Sequence, residues 1–209
     1  MGSFAPASAS TIAFNDFGPN ASYDTGLAPA VFSQQTVGSE FQSSATGMLS
    51  EIKVALVYSS AAQAGFSLNL YADNGGSLGN LLGTFGGSAA GVGGTADLQL
   101  PLSGINLIAG QNYWLIASSS NNLTWNLNNQ GVIGTNYTQI NSGPFGGVEE
   151  FTGSGALLAF EAFVAVPEPT TTLLSFLGIC CCLGARVLDK RRRQPEPLGN
   201  LRDALQSNS

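Results

Sequence analysis

The side chains of this 209-residue chain that could perform acid–base chemistry are carboxylates, because the sequence contains no histidine. Histidine is the commonest general base and the commonest metal ligand, so its absence excludes Ser/His/Asp and Cys/His catalysis. A glycosidase can operate with two carboxylates, and the candidates here are Glu149, Glu150 and Glu161. Adjacent glutamates in a Gly-rich segment are more typical of a solvated surface pair. We therefore predict a non-enzymatic protein with no catalytic residue and no cofactor.

Asp73 is the candidate metal ligand, because it opens the segment Asp73-Asn74-Gly75-Gly76. Loops of lectin-like sandwiches often bind Ca²⁺ through such oxygens. The segment lacks the repeated Asp spacing of a dedicated calcium loop, and Asn-Gly is the usual signal of a hairpin turn. We therefore predict no metal site. If a metal were bound, Asp73 would be the candidate ligand.

Four aromatic side chains could stack on sugar rings, namely Tyr71, Trp114, Trp125 and Tyr137. Trp114 and Trp125 lie within apolar segments of alternating pattern, which is typical of residues in the core of a sheet protein. We expect both tryptophans to be core residues, with stacking on a sugar as the alternative.

The candidate carboxylates and aromatic residues are expected to lie on or between β-strands. Side chains between residues 11 and 165 alternate between apolar and polar, which is typical of strands. Segments such as 74–76, 86–87 and 128–131 separate the runs and favour turns. The pattern predicts an all-β fold, a β-sandwich of jelly-roll or lectin-like type over residues 11–165. The predicted strands are 11–14, 52–58, 66–71, 96–100, 112–118, 123–127 and 156–164.

Charge is divided unevenly along the chain, whose net charge is −6. Up to residue 165 the only basic residue is Lys53, whereas acidic residues are spread throughout. Nucleic acid is excluded as a partner of this region, because phosphate contacts need clustered Lys or Arg. The other basic residues lie between Arg186 and Arg202, so the acidic and basic parts occupy different environments.

The alternating, strand-like pattern of the sequence ends at Val166-Pro167-Glu168-Pro169. Its prolines lack N–H donors, so we expect the strand ladder to end before this linker. Residues 170–188, which begin at Thr170 and end at Leu188, then form an apolar segment. As a helix this segment would span roughly 28 Å, which is enough to cross a bilayer. Cys180-Cys181-Cys182 would fill such a helix as small apolar side chains.

A basic cluster accompanies the apolar segment. Basic residues beside a membrane span remain cytoplasmic, which would place the acidic domain outside the cytosol. A re-entrant or buried helix is the alternative for residues 170–188, because threonines and glycines dilute their hydrophobicity. The cluster consists of Arg186, Lys190, Arg191, Arg192 and Arg193.

This order of segments resembles the PEP-CTERM family, whose mark is a Pro-Glu-Pro signature, one transmembrane helix and an Arg-rich cluster. The resemblance covers residues 166–193, a segment also named the ice-binding protein C-terminal domain, and it implies no ice-binding activity. It implies an exosortase as partner, a membrane-bound cysteine protease or transpeptidase that acts on the segment in bacteria that produce exopolysaccharide. A second Pro195-Glu196-Pro197 has no apolar segment after it, so it cannot act as the signal.

The domain before this segment resembles, more loosely, the choice-of-anchor domains that precede such sorting segments. The resemblance rests on core and turn positions such as 14–19, 66–71 and 107–115, so it implies a fold and no activity. At the other end, Ala7-Ser8-Ala9 is similar to a signal-peptide cleavage site. We expect residues 1–10 to be disordered or the remnant of a signal peptide, and residues 194–209 to be a disordered cytoplasmic tail.

The resemblance and the charge pattern together predict an exported, non-enzymatic surface or extracellular-matrix protein, sorted by an exosortase and associated with exopolysaccharide. It would reside in the bacterial inner membrane before processing, and at the cell surface or outside the cell afterwards. The alternative is a stably membrane-anchored, single-pass carbohydrate-binding module.

Overall fold

The chain folds into antiparallel β-strands, which confirms the predicted all-β class. The computed structural model describes residues 8–26, 28–58, 64–100, 103–141 and 148–167. Within these ranges the only helical element is a 3₁₀ turn at Pro19–Ala21. The strands in chain order are β1 (Ser8–Asn15), β2 (Ala30–Val31), β3 (Gln35–Gln42), β4 (Gly47–Val54), β5 (Leu56–Tyr58), β6 (Gly65–Asp73), β7 (Leu78–Ser88), β8 (Ala96–Gln99), β9 (Asn106–Leu107), β10 (Asn112–Ser118), β11 (Leu123–Trp125), β12 (Ile133–Ile140), β13 (Glu149–Ala156) and β14 (Phe160–Pro167).

The strands are arranged in three sheets. One sheet has the order β1-β14-β4-β8, with β9 also paired to β4. A second sheet has the order β13-β12-β3-β10-β6-β7, and a small third sheet has the order β2-β11-β5. Side chains from all three sheets form one hydrophobic core, so the sheets fold as one unit that extends to Pro167.

The Phe160 ring lies where the three sheets meet. It stacks on Phe14 of β1 at a centroid distance of 4.6 Å, and it meets Phe41 of β3 edge-on at 5.2 Å. Trp125 of β11 approaches the same ring edge-on at 6.2 Å, and its indole N–H donates to the Ala159 carbonyl at 3.0 Å. Aromatic contacts of this kind contribute about 1 kcal/mol each beyond the burial of their surface.

A second apolar cluster covers the other face of the six-stranded sheet. Trp114, Ile116 and Tyr137 are buried there, although they point away from the main core. Gly38 lies beneath them, and a Cβ at this position would come within 2.3 Å of both the Ile116 side chain and the Leu115 carbonyl. A glycine is needed at this point of β3 because the neighbouring strand leaves no room for a side chain.

Most of the predicted strands are present. Residues 112–118 match β10, residues 66–71 lie within β6, and residues 96–100 and 123–127 overlap β8 and β11. The predicted run 52–58 is divided at Ala55 between β4 and β5, which belong to different sheets. Both halves are buried, and the alternation alone did not indicate the break.

Six strands were not predicted, namely β2, β3, β7, β9, β12 and all but the last residue of β13, and glycine explains part of the difference. Gly86 and Gly87, predicted to form a turn, lie inside β7. A Cβ at Gly87 would come within 2.5 Å of the Phe66 ring, so the glycine makes room for an aromatic side chain of the neighbouring strand. The segment 156–164, predicted as one strand, spans the end of β13 and the first part of β14.

The strand pairing predicts that residues 8–167 fold without the rest of the chain. A shorter fragment, 11–165, should be less stable by roughly 1–3 kcal/mol, because it loses the end of the β1–β14 ladder and each hydrogen bond contributes about 0.5–1.5 kcal/mol. Urea unfolding followed by far-UV circular dichroism measures the difference. Equal stability of the two fragments, or a mainly helical spectrum of either, would contradict the described fold.

Candidate functional site

The predicted sorting motif begins inside the last strand of the domain. β14 lies between β1 and β4, and its pairing with β1 continues through Ala9–Val166 to Ser8–Pro167. The pairing with β4 ends at Ala165. Val166 and Pro167 therefore continue the ladder, in contrast to the expectation that the strand ends before them. Proline is tolerated at this point because the strand is paired there on one side only.

The rest of the predicted sorting segment lies outside the described residues. This applies to Glu168 and Pro169, to the apolar segment 170–188 with its cysteines, and to the basic cluster with the tail that follows. Residues 1–7 also lie outside them. In the part of the chain that the structure describes, no helix is long and apolar enough to cross a membrane.

Asp73, the metal candidate, has a structural task in the hairpin between β6 and β7. Its carboxylate accepts hydrogen bonds from the Gly75 and Gly76 N–H groups at 3.0 and 2.9 Å, and both glycines have positive φ. It also accepts a bond from the Trp114 indole at 2.9 Å. Among the described residues, no three His, Cys, Asp or Glu side chains come together as a metal site.

The two tryptophans are core residues, as predicted. Trp114 and Trp125 are both fully buried. Tyr137 is buried against Trp114 at a centroid distance of 6.4 Å, and Tyr71 is half-buried beside them. The three buried rings, Trp114, Trp125 and Tyr137, have no free face on which a sugar could stack.

The candidate carboxylates are divided between two sheets. Glu149 and Glu150 are exposed at the start of β13, in a strand and not in the expected loop. Glu161 is buried on β14, where burial raises the pKa of its carboxyl and Lys53 partly opposes this rise. Its oxygen lies 3.8 Å from the Lys53 ammonium. Burial also raises the pKa of the Tyr137 phenol, and a hydrogen bond to Glu150 adds to the rise.

Asp16 is a buried carboxylate that the sequence analysis did not single out. Its Oδ1 accepts a hydrogen bond from the Phe160 N–H at 2.8 Å, whereas its Oδ2 is buried with no partner among the described residues. Burial raises the pKa of this carboxyl from 3.8 to about 7, and the bond from Phe160 opposes the rise. No pattern in the sequence distinguishes Asp16, because its burial arises from the packing of β14 against β1.

A polar groove of about 570 Å³ lies at one end of the six-stranded sheet. Its walls come from the turn before β3, the start of β6, the end of β10 with its following loop, and the residue after β12. Among the described residues, the lining side chains are hydroxyls, amides and two phenylalanines, and none of them carries a charge. No motif in the sequence indicates the groove, because its residues are far apart in the chain. Ser118 lies opposite Ser67 only through strand pairing.

The buried carboxyl of Asp16 predicts a pH-dependent stability. Between about pH 4 and pH 7 the folded state retains the Asp16 proton and the unfolded state does not, so the free energy of unfolding falls as the pH rises. The loss approaches about 1.4 kcal/mol per pH unit and is complete above the folded-state pKa. Asp16→Asn removes this titration and keeps an acceptor for Phe160. Its stability relative to wild type should therefore increase from pH 4.5 to pH 7.5.

Urea unfolding of residues 8–167 across this pH range measures the difference. Asp16→Ala is the matched control, because it leaves the Phe160 N–H without an acceptor and should destabilise at every pH by about 1–3 kcal/mol. A difference between wild type and Asp16→Asn that does not change with pH would show that the carboxyl is ionised normally in the folded domain.

No family model and no curated protein matches the chain. The function is therefore inferred from the chain's own residues and geometry. The inference is based on two candidate sites. One is the end of β14, where the sorting motif begins, and the other is the polar groove of the six-stranded sheet.

Proposed function

We propose that this chain is a non-enzymatic exported protein of the cell surface or extracellular matrix, sorted by an exosortase through residues 166–193. The observation that carries the proposal is that the end of the folded unit coincides with the start of the Pro-Glu-Pro motif. The folded unit ends at Pro167, which is also the first proline of the Pro-Glu-Pro motif. A sorting signal must extend beyond the end of the cargo, because a membrane protease needs backbone that the folded domain does not enclose.

The order of residues after Pro167 suits this task. Glu168 places one negative charge between two prolines, which favour an extended conformation with few hydrogen bonds. The apolar segment 170–188 would then hold the motif at the membrane surface, and the basic cluster would keep the far end in the cytoplasm. The protein would lie in the inner membrane before processing and outside the cell after it.

The composition of the domain also supports an extracellular, non-enzymatic role. The finer interpretation of its fold, a jelly-roll or lectin-like sandwich, is supported by the core that its sheets share. Such a domain suits association with exopolysaccharide, and its scarcity of basic residues argues against nucleic acid as a partner.

The second candidate function is a stably anchored, single-pass carbohydrate-binding module. The uncharged polar groove of the six-stranded sheet favours it. The two candidates differ in the fate of the C-terminal segment, which processing removes and stable anchoring retains.

Substitution of the motif separates them. In a host with an exosortase, wild type should lose its C-terminal tail and leave the membrane fraction. Glu168→Ala should remain full-length in the membrane, because the enzyme loses the charge that it recognises. Immunoblots of membrane and released fractions, with one antibody against the domain and one against residues 194–209, measure both outcomes.

Glu196→Ala is the matched control, since it alters the second Pro-Glu-Pro, which no apolar segment follows. It should behave as wild type. In a host without an exosortase, all three proteins should be full-length and retained in the membrane. If wild type keeps its tail in the exosortase host, the sorting proposal is wrong and the anchored module takes its place.

A further inference from the structure

We propose that the polar groove at the end of the six-stranded sheet binds an uncharged saccharide unit of a polysaccharide. That the saccharide belongs to a polysaccharide rests on the proposed function, whereas the polarity and neutrality of the ligand rest on the groove itself. The groove residues that carry the inference are Phe32, Ser33, Ser67, Ser118, Asn121 and Asn141.

Strand pairing places hydroxyl groups side by side along one wall. Ser118 at the end of β10 lies opposite Ser67 of β6. On its other side, the neighbouring pair Ala117–Val37 brings Thr36 of β3 beside Ser118. Neighbouring strands are about 4.8 Å apart, so the three hydroxyls form a regular row on one face of the sheet. Such a row can donate to and accept from successive hydroxyls of a sugar.

Several of these polar groups are available to a ligand. The side chains of Ser33, Ser67, Ser118 and Asn141 make no hydrogen bond to another described residue, and Ser67 and Ser118 are half-buried. Ser119 differs, because its hydroxyl donates to the Gly65 carbonyl at 2.7 Å and accepts from the Asn121 N–H at 3.0 Å. Ser119 therefore shapes the loop, whereas Ser67 and Ser118 keep hydroxyls that no described residue engages.

The absence of charge in the lining selects the class of ligand. An anionic sugar or a phosphate would lose hydration in the groove without gaining an ion pair from the lining side chains. A neutral saccharide has no such cost, and its hydroxyls match hydroxyl and amide partners.

Phe32 supplies an apolar wall for the hydrogen-bearing face of a sugar ring. Its backbone is fixed by reciprocal hydrogen bonds with Gln35 at 3.0 and 2.9 Å, which close a two-residue turn before β3. Phe32 is half-buried and its backbone is already ordered by this turn, so little backbone entropy is lost on binding. The groove volume of about 570 Å³ is within the range of small-ligand sites.

A binding measurement with the full-length chain tests the inference. The protein is purified in a detergent without a sugar headgroup, because a glycosidic detergent would compete for the groove. Isothermal titration with cellohexaose, xylohexaose, mannohexaose and isomaltohexaose provides the neutral probes, and hexauronates of alginate and polygalacturonate provide the acidic ones. We expect binding of at least one neutral hexasaccharide and no binding of the acidic ones.

Ser67→Ala and Ser118→Ala should each weaken this binding about threefold to tenfold, since each removes one hydrogen bond to the sugar. Ser154→Ala is the matched control, because Ser154 is exposed on β13 outside the groove, and it should bind as wild type. Asn141→Ala tests the β12 side of the groove without altering a strand, and it should weaken binding to the same extent. Unchanged thermal unfolding of each variant shows that it is folded.

Wild-type affinity of the Ser67→Ala/Ser118→Ala double variant would overturn the inference. So would preference for the acidic hexasaccharides, or failure of every neutral probe to bind. None of these results depends on processing of the C-terminal segment, so the inference can fail while the sorting proposal stands. The reverse also holds, because a chain that is never processed can still bind a neutral sugar.

Discussion

The contact of the Phe160 ring with Phe14, Phe41 and Trp125 joins the three sheets, and hydrogen bonds from neighbouring side chains fix the backbone around this ring. Its N–H donates to the buried Asp16 carboxyl, and the preceding carbonyl accepts the Trp125 indole N–H. Since β14 begins with Phe160, the core fixes the position and direction of the strand that leads out of the domain. The position of β14 in the core therefore determines where the folded unit ends, at Pro167.

Alternating apolar residues were sufficient to predict the all-β class and strands such as β10, where a buried face determines the pattern. They were insufficient for β3 and β7, because Gly38 and Gly87 interrupt the alternation. In the sequence Gly86 and Gly87 suggest a turn, but in the fold Gly87 makes room for Phe66, as Gly38 does for Ile116. Alternation also failed at Ala55, where a continuous buried run passes from one sheet to another. Such features depend on neighbouring strands, which a single segment does not specify.

The two candidate sites, the sorting motif and the polar groove, differ in how far they can be predicted from the sequence. The sorting motif is contiguous, so its residues and the apolar segment after it are visible in order. The groove is assembled from Ser33, Ser67 and Ser118, and only the pairing of β3, β10 and β6 brings these residues together. Asp16 is an intermediate case, since the sequence shows that it is a carboxylate but does not show that it is buried. Strand pairing thus connects the fold to the proposed saccharide site, and the end of β14 connects it to the proposed sorting signal.

Intact-mass spectrometry of the protein released by cells that carry an exosortase tests the central claim, that the folded domain ends where the sorting signal begins. The predicted mass lacks residues 170–209 and corresponds to a C-terminus at or shortly after Pro167, because a cut within β14 would have to open the ladder to β1. A released protein that retains the C-terminal tail would contradict the sorting account. A C-terminus before Val164 would contradict the boundary that the fold provides.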